Sequence, residues 1–112
     1  MSRSWQLFLL DMQEACEKVM RYCQGMTLAD FTNDSLTRDA VLRNLFIIGE
    51  AAKKIPAKVR QQHPAVEWKA MAGLRDVLAH AYFALDDDTL WDIVRNEVPA
   101  LLREVERMQE EP

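Results

Sequence analysis

The 112-residue chain has the length of one small domain and can bury a real, though modest, core. Its net charge of -4 excludes nucleic-acid binding through bulk positive charge, although it leaves room for a locally basic site. Only three Gly and four Pro stand among abundant Ala, Leu, Glu, Arg and Met, which favours an all-helical protein.

The first predicted helix runs from Ser4 to Gln24. Leu7, Leu10, Met12, Ala15, Val19 and Tyr22 recur at spacings of three to four, and Gly25 stops the run. Its opening, MSRSWQLFLLDMQEA, is too short in apolar residues and too acidic for a signal peptide. No apolar stretch in the chain is long enough to span a membrane. Cys16 and Cys23 share one face of this helix, roughly 10 Å apart along its axis, too far for a mutual disulfide. Two free, half-buried thiols suit a reducing, cytoplasmic setting. No spacing of Cys and His suggests a metal, and no cofactor is expected.

MTLADFTND reads as a connection. Asp34 or Ser35 then caps a second long helix that reaches about Ile55, before Pro56. Leu42, Leu45, Ile48, Gly49 and Ala52 form its main stripe, and Phe46 and Ile47 widen it well past one face. A helix apolar over so much of its circumference needs more than one neighbour, and in a chain this small the extra neighbour points to another subunit. PAKVRQQHP is one short helical turn between prolines. A third long helix is predicted over about Met71 to Phe83. Asp86, Asp87 and Asp88 offer a cap for a last helix from about Thr89 to Arg107, with Pro99 bending it. The expectation is an up-and-down bundle of four main helices plus short helical segments, in a single domain covering 1–112.

The third helix carries the chemistry. Within GLRDVLAHAYF, Leu74, Val77, Leu78, Ala81 and Leu85 collect on one side at about 100° per residue. Arg75 and Tyr82 share a line on one flank, and Asp76 and His80, four apart, share another. A carboxylate one turn from an imidazole can fix its tautomer or raise its pKa. The Arg75 guanidinium suits a phosphate. An exposed helix with these side chains is also commonplace, and the Asp–His pair can simply stabilise it. Arg75 and His80 lie about 140° apart and do not converge from one helix. A second copy across a two-fold axis would bring both sets into one cleft, so the geometry suggests a symmetric dimer with a composite site.

The pattern Arg75-x4-His80-x-Tyr82 resembles the R-x4-H-x-Y signature of the HepT-like branch of the HEPN superfamily. IGEAAKKIP at 48–56 is similar to the family's I-G-E-A segment, and Pro64, Trp68, Gly73, Leu74 and Arg75 match the approach to the motif. Trp91 and Pro99 follow in the family's order, so the likeness covers essentially the whole chain. The resemblance implies a HEPN-like helical dimer with the motif helix at its cleft, and a metal-independent ribonuclease acting as the toxin of a toxin–antitoxin pair. It implies Arg75 and His80 as catalytic, Asp76 as the residue that orients His80, and RNA as substrate. It further implies a partner nucleotidyltransferase of the MntA type that transfers AMP from ATP onto Tyr82. The rival reading is a non-catalytic nucleotide- or partner-binding subunit associated with a separate nucleotidyltransferase.

Glu50, in the I-G-E-A segment, is a supporting candidate that would pair with Arg75 or Arg43, or else form a plain ion pair. Gly49 reads as a site of close helix packing. His63 reads as a solvated or capping residue, and Trp5, Trp68 and Trp91 as core or interface aromatics. Lys53, Lys54, Lys58 and Arg60 form a basic segment that either guides RNA or makes a solvated face. The dimer is testable at once. Light scattering at micromolar concentration should return twice the chain mass, and a clean monomer would remove the composite cleft.

Overall fold

The computed structural model describes residues 4–74, 76, 78, 79 and 86–110. It is all-helical, with no strand among the described residues. Helix α1 spans Trp5–Tyr22, α2 Leu28–Thr32, α3 Ser35–Lys53, α4 Ala57–Gln62 and α5 Trp68–Ala72. Leu74, Asp76, Leu78 and Ala79 are also helical. Helix α6 spans Asp87–Asp92, a π-helical stretch covers Ile93–Glu97, and α7 spans Val98–Glu110.

Helix boundaries follow the capping chemistry of the sequence. Ser4 caps α1 by accepting from the Gln6 amide. Gly25, at φ 76°, takes the left-handed conformation that ends the chain's first excursion. Asp34 rather than Ser35 caps α3, accepting from the Thr37 amide at 3.0 Å and from its hydroxyl at 2.8 Å. The backbone bond from Thr37, followed by its hydroxyl, holds the Asp34 carboxyl below its ordinary pKa. Asp86 caps α6 with the same pair of bonds, accepting from the amide and hydroxyl of Thr89.

Three elements differ from the sequence expectation. The segment read as a connection contains α2, closed by a capping box in which Thr27 and Asp30 exchange bonds of 3.0 and 3.1 Å. It exists to bury Phe31, whose ring lies 5.1 Å from that of Trp91. The third helical region starts earlier, at Trp68, and a turn at Gly73 interrupts it. The bend expected at Pro99 is a π-turn just before it, where the Val98 amide reaches back to the Ile93 carbonyl. A proline ring cannot sit against the carbonyl four residues back in a continuous α-helix, and the widened turn relieves that clash.

The core is one apolar cluster. Leu9, Met12, Cys16 and Val19 of α1 meet Val41, Leu45 and Ile48 of α3 and Val98, Leu101, Val105 and Met108 of α7. Helix α1 packs on both α3 and α7, and α3 also packs on α5 and α2. Full burial of side chains such as these stabilises by about 1.5–3 kcal/mol each. Several large apolar residues stay outside, among them Leu36, 81% exposed, and Phe46, 44% exposed, both on α3. No helix among the described residues is long and apolar enough to cross a membrane.

One ion pair crosses the core's edge. The Arg38 guanidinium on α3 bonds the Asp87 carboxylate at the start of α6, with side-chain exposures of 10% and 19%. Desolvated to that degree, each charge depends on the other. Asp87→Ala should therefore cost about 3 kcal/mol in urea unfolding, the low end for breaking a buried pair. Asp88→Ala, one residue along and exposed, should stay within about 0.5 kcal/mol. Equal effects at the two positions would show that the pair does not secure α6.

Candidate functional site

The motif residues Arg75, His80 and Tyr82 lie outside the described residues, as do Val77, Ala81 and Leu85 of the expected core face. The structure does describe what holds the beginning of that segment. Leu74 and Leu78 are buried, whereas Asp76 and Ala79 are exposed. This is the division between core face and polar arc that the spacing of 74–85 predicts. The Asp76 amide donates to the Gly73 carbonyl at 3.1 Å, so the chain turns at Gly73 and enters the motif directly.

Helix α3 supplies the surface against which this entry is placed. A Cβ built on Gly49 would come 3.1 Å from the Met71 carbonyl oxygen and 3.3 Å from Leu74 Cβ. The absent side chain lets α3 and the residue before Arg75 approach this closely. That bears out Gly49 as a packing residue. Glu50, its neighbour, is half-buried, and its carboxylate lies 3.4 Å from the Lys53 ammonium one turn along. Arg43, the other suggested partner for Glu50, is exposed on α3. Glu50 thus stands beside the closest approach between α3 and the motif segment.

His63 closes α4, with its carbonyl accepting from the Trp68 indole at 2.9 Å and from the Val66 amide at 3.3 Å. Those two bonds fold the connection between α4 and α5. Trp68 is core, while Trp5 and Trp91 pack at its edge. The Arg95 guanidinium lies over the Trp91 ring at 5.7 Å.

Neither cysteine suits nucleophilic or metal chemistry. Both are free and buried, deeper than their sequence positions suggest. Burial, with a smaller contribution from Glu17, pushes the Cys16 thiol up to about 12. Burial, then Asp34, raises Cys23 as well. Among the described residues, no group of His, Cys, Asp and Glu is arranged to hold a metal ion. Sequence reasoning missed the Arg38–Asp87 pair, whose partners are 49 positions apart. Asp87 reads from sequence as a capping residue, and nothing local marks its bond to α3.

The all-helical bundle, with Gly49 packed against the entry to an R-x4-H-x-Y segment, is consistent with a HEPN-like fold. The chain belongs to the HepT-like ribonuclease family: the family model described as "Ribonuclease HepT-like" matches residues 12–108. A protein of Thermococcus cleftensis named "Probable ribonuclease HepT" is 39% identical over 109 residues, 97% of this chain and 99% of that one. A "Putative RNase" of Methanocaldococcus jannaschii is 41% identical over 101 residues, 90% of this chain and 84% of its own. Another of that name, from Caldanaerobacter subterraneus subsp. tengcongensis, is 35% identical over 90% of both chains. No solved structure gives a significant match.

The two glycines near the motif should respond differently to alanine. Gly49→Ala forces a methyl against the Met71 carbonyl oxygen and the Leu74 Cβ, an overpacking cost of about 1–3 kcal/mol. That outweighs the gain of up to about 1 kcal/mol in helix propensity. Gly73, at φ -81° with neighbours at 3.4 and 3.6 Å, accepts a methyl within about 0.5 kcal/mol. Thermal melts should rank Gly49→Ala below wild type and Gly73→Ala beside it. The reverse order would refute the close-approach role of Gly49.

Proposed function

We propose that this protein is a metal-independent endoribonuclease, formed by the single domain 1–112, that acts as the toxin of a toxin–antitoxin pair. The observation that carries this reading is the Arg75-x4-His80-x-Tyr82 pattern in a chain of the HepT-like ribonuclease family. Relatives named as ribonucleases along nearly their whole lengths support it.

The residue types suit cleavage through the ribose 2′-OH. The 2′ oxygen attacks the adjacent phosphorus, the P–O5′ bond breaks, and the leaving oxygen takes up a proton. His80, whose imidazole can both take and give a proton, is the group that moves protons at these oxygens. Arg75 faces the charge that builds on the phosphorane. Asp76, exposed one turn before His80, orients its ring, and Glu50 supports the cleft from α3. A homodimer completes the site. The exposed Phe46 and half-buried Ile47, beside Glu50 on α3, support a face that a second copy covers.

The antitoxin in this reading is an MntA-type nucleotidyltransferase that moves AMP from ATP onto the Tyr82 hydroxyl and releases pyrophosphate. A bulky anion there would pair with Arg75 and repel RNA.

Two measurements test the proposal. Purified, unmodified protein should cleave RNA, and His80→Ala should lower the rate about 10²–10⁴-fold while the oligomer persists. Expressed with its genomic nucleotidyltransferase neighbour, the chain should gain one or more AMP increments that peptide mapping places on Tyr82. No cleavage by the unmodified wild type would favour a binding subunit instead. No increment from an active neighbour supplied with ATP would remove the Tyr82 switch.

A further inference from the structure

The chain's charge is unevenly placed. Residues 51–66 hold Lys53, Lys54, Lys58 and Arg60 and no carboxylate, while the rest of the chain sets ten cations against eighteen carboxylates. All four cations fall at the end of α3 or on α4. Lys54 is the C-cap of α3 and Pro56 the N-cap of α4, so only Ile55 separates the two caps. Lys54 and Lys58 are both exposed and, four residues apart, lie within about 14 Å of each other. Lys53 differs from them, since its ammonium lies beside Glu50.

A groove of about 410 Å³ opens on the same short helix. Val59, Gln62 and His63 line it from α4, Trp5 and Leu10 from α1, and Met108 from α7. Its size matches that of small-ligand sites. Lys58 and Gln62 are one turn apart on one face of α4, which puts an ammonium next to the groove's amide edge. The lining mixes one indole ring and apolar side chains with the amides of Gln6, Gln62 and Gln109 and the His63 imidazole, and the Lys58 cation lies one turn from Gln62. An unpaired nucleobase uses that set of groups: it stacks on an aromatic ring, its edge bonds an amide, and its phosphate meets the cation.

We propose that this groove and the Lys54–Lys58 track form a docking site for single-stranded RNA, with one unpaired base held against Trp5. The inference rests on the RNA-substrate reading above. None of these residues belongs to the motif, so the site governs substrate affinity and the choice of unpaired over duplex RNA, not the chemical step.

The test is fluorescence anisotropy with a labelled 2′-O-methyl oligonucleotide of about 12 nucleotides. Its blocked 2′ oxygens make it uncleavable by the proposed chemistry. The wild type should bind it, and an unlabelled blunt duplex should compete poorly. The double variant Lys54→Gln, Lys58→Gln should weaken binding about 10-fold and flatten the log–log salt slope by about 1.4. Trp5→Ala should weaken it about 5- to 100-fold, with Trp5→Phe close to wild type. If Trp5→Ala fails to fold by circular dichroism, Gln62→Ala on the exposed side of α4 replaces it, with a loss of about five-fold expected. Wild type that does not bind, or variants that bind as wild type, would overturn the proposal. Cleavage of an unmodified RNA is scored separately. Cleavage without oligonucleotide binding removes the docking site alone, and binding without cleavage removes the ribonuclease reading alone.

Discussion

The structure turns on the contact between Gly49 of α3 and the backbone that leads into the motif. A helix surface with no side chain at one point lets a second chain segment lie against it at van der Waals distance. That contact places Leu74 relative to α3. The Arg38–Asp87 pair fixes the other side of the same segment, where the chain re-enters α6. The two fixed points are eleven residues apart on α3, about 16 Å along its axis. One helix thus holds both ends of the stretch from 74 to 87. In the rest of the core, α1 packs along α3, and α7 packs on α1.

The two fixed points differ in kind. The glycine contact is steric and indifferent to salt, since nothing in it carries charge. The arginine–carboxylate pair is electrostatic, and its partial burial shields it from the screening that weakens exposed pairs. A segment held by unlike forces keeps at least one anchor under conditions that weaken the other. The surface pairs elsewhere, Glu14 with Lys18 and Glu104 with Arg107, are exposed helix-face contacts and contribute little.

What the sequence reveals depends on how local the cause is. The ends of α1 and α3 are legible within about two residues because Ser4, Gly25 and Asp34 act on their immediate neighbours. Helix α2 hides in a nine-residue polar string. Its only signals are the Thr27–Asp30 capping box and one aromatic ring, and the ring's partner Trp91 lies sixty positions away. The break at Gly73 is similarly quiet, because its φ is one that any residue adopts. The Arg38–Asp87 pair is wholly non-local. In the candidate site, periodicity separates core from polar arc correctly at Leu74, Asp76, Leu78 and Ala79. For Glu50 the sequence suggests Arg43 or Arg75, and the structure adds Lys53, one turn along the same helix, beside its carboxylate.

The π-turn at Ile93–Glu97 bears on how this fold tolerates length changes. The core residues Leu90 before it, Val94 within it and Val98 after it are spaced by four and four, while Val98, Leu101, Val105 and Met108 run three, four, three. A regular α-helix would let the first set drift about 40° off the stripe with each step of four. The wider turn absorbs that drift, because it takes up one extra residue within a single turn. The last helix therefore carries a built-in spare residue. Removing one position between 93 and 97 would keep the α7 stripe facing α1 but return the Pro99 ring to the carbonyl four residues back, whereas the same deletion inside α1 or α3 would swing every later side chain by about 100°. The π-turn is thus where the proline and the register of the last helix are reconciled.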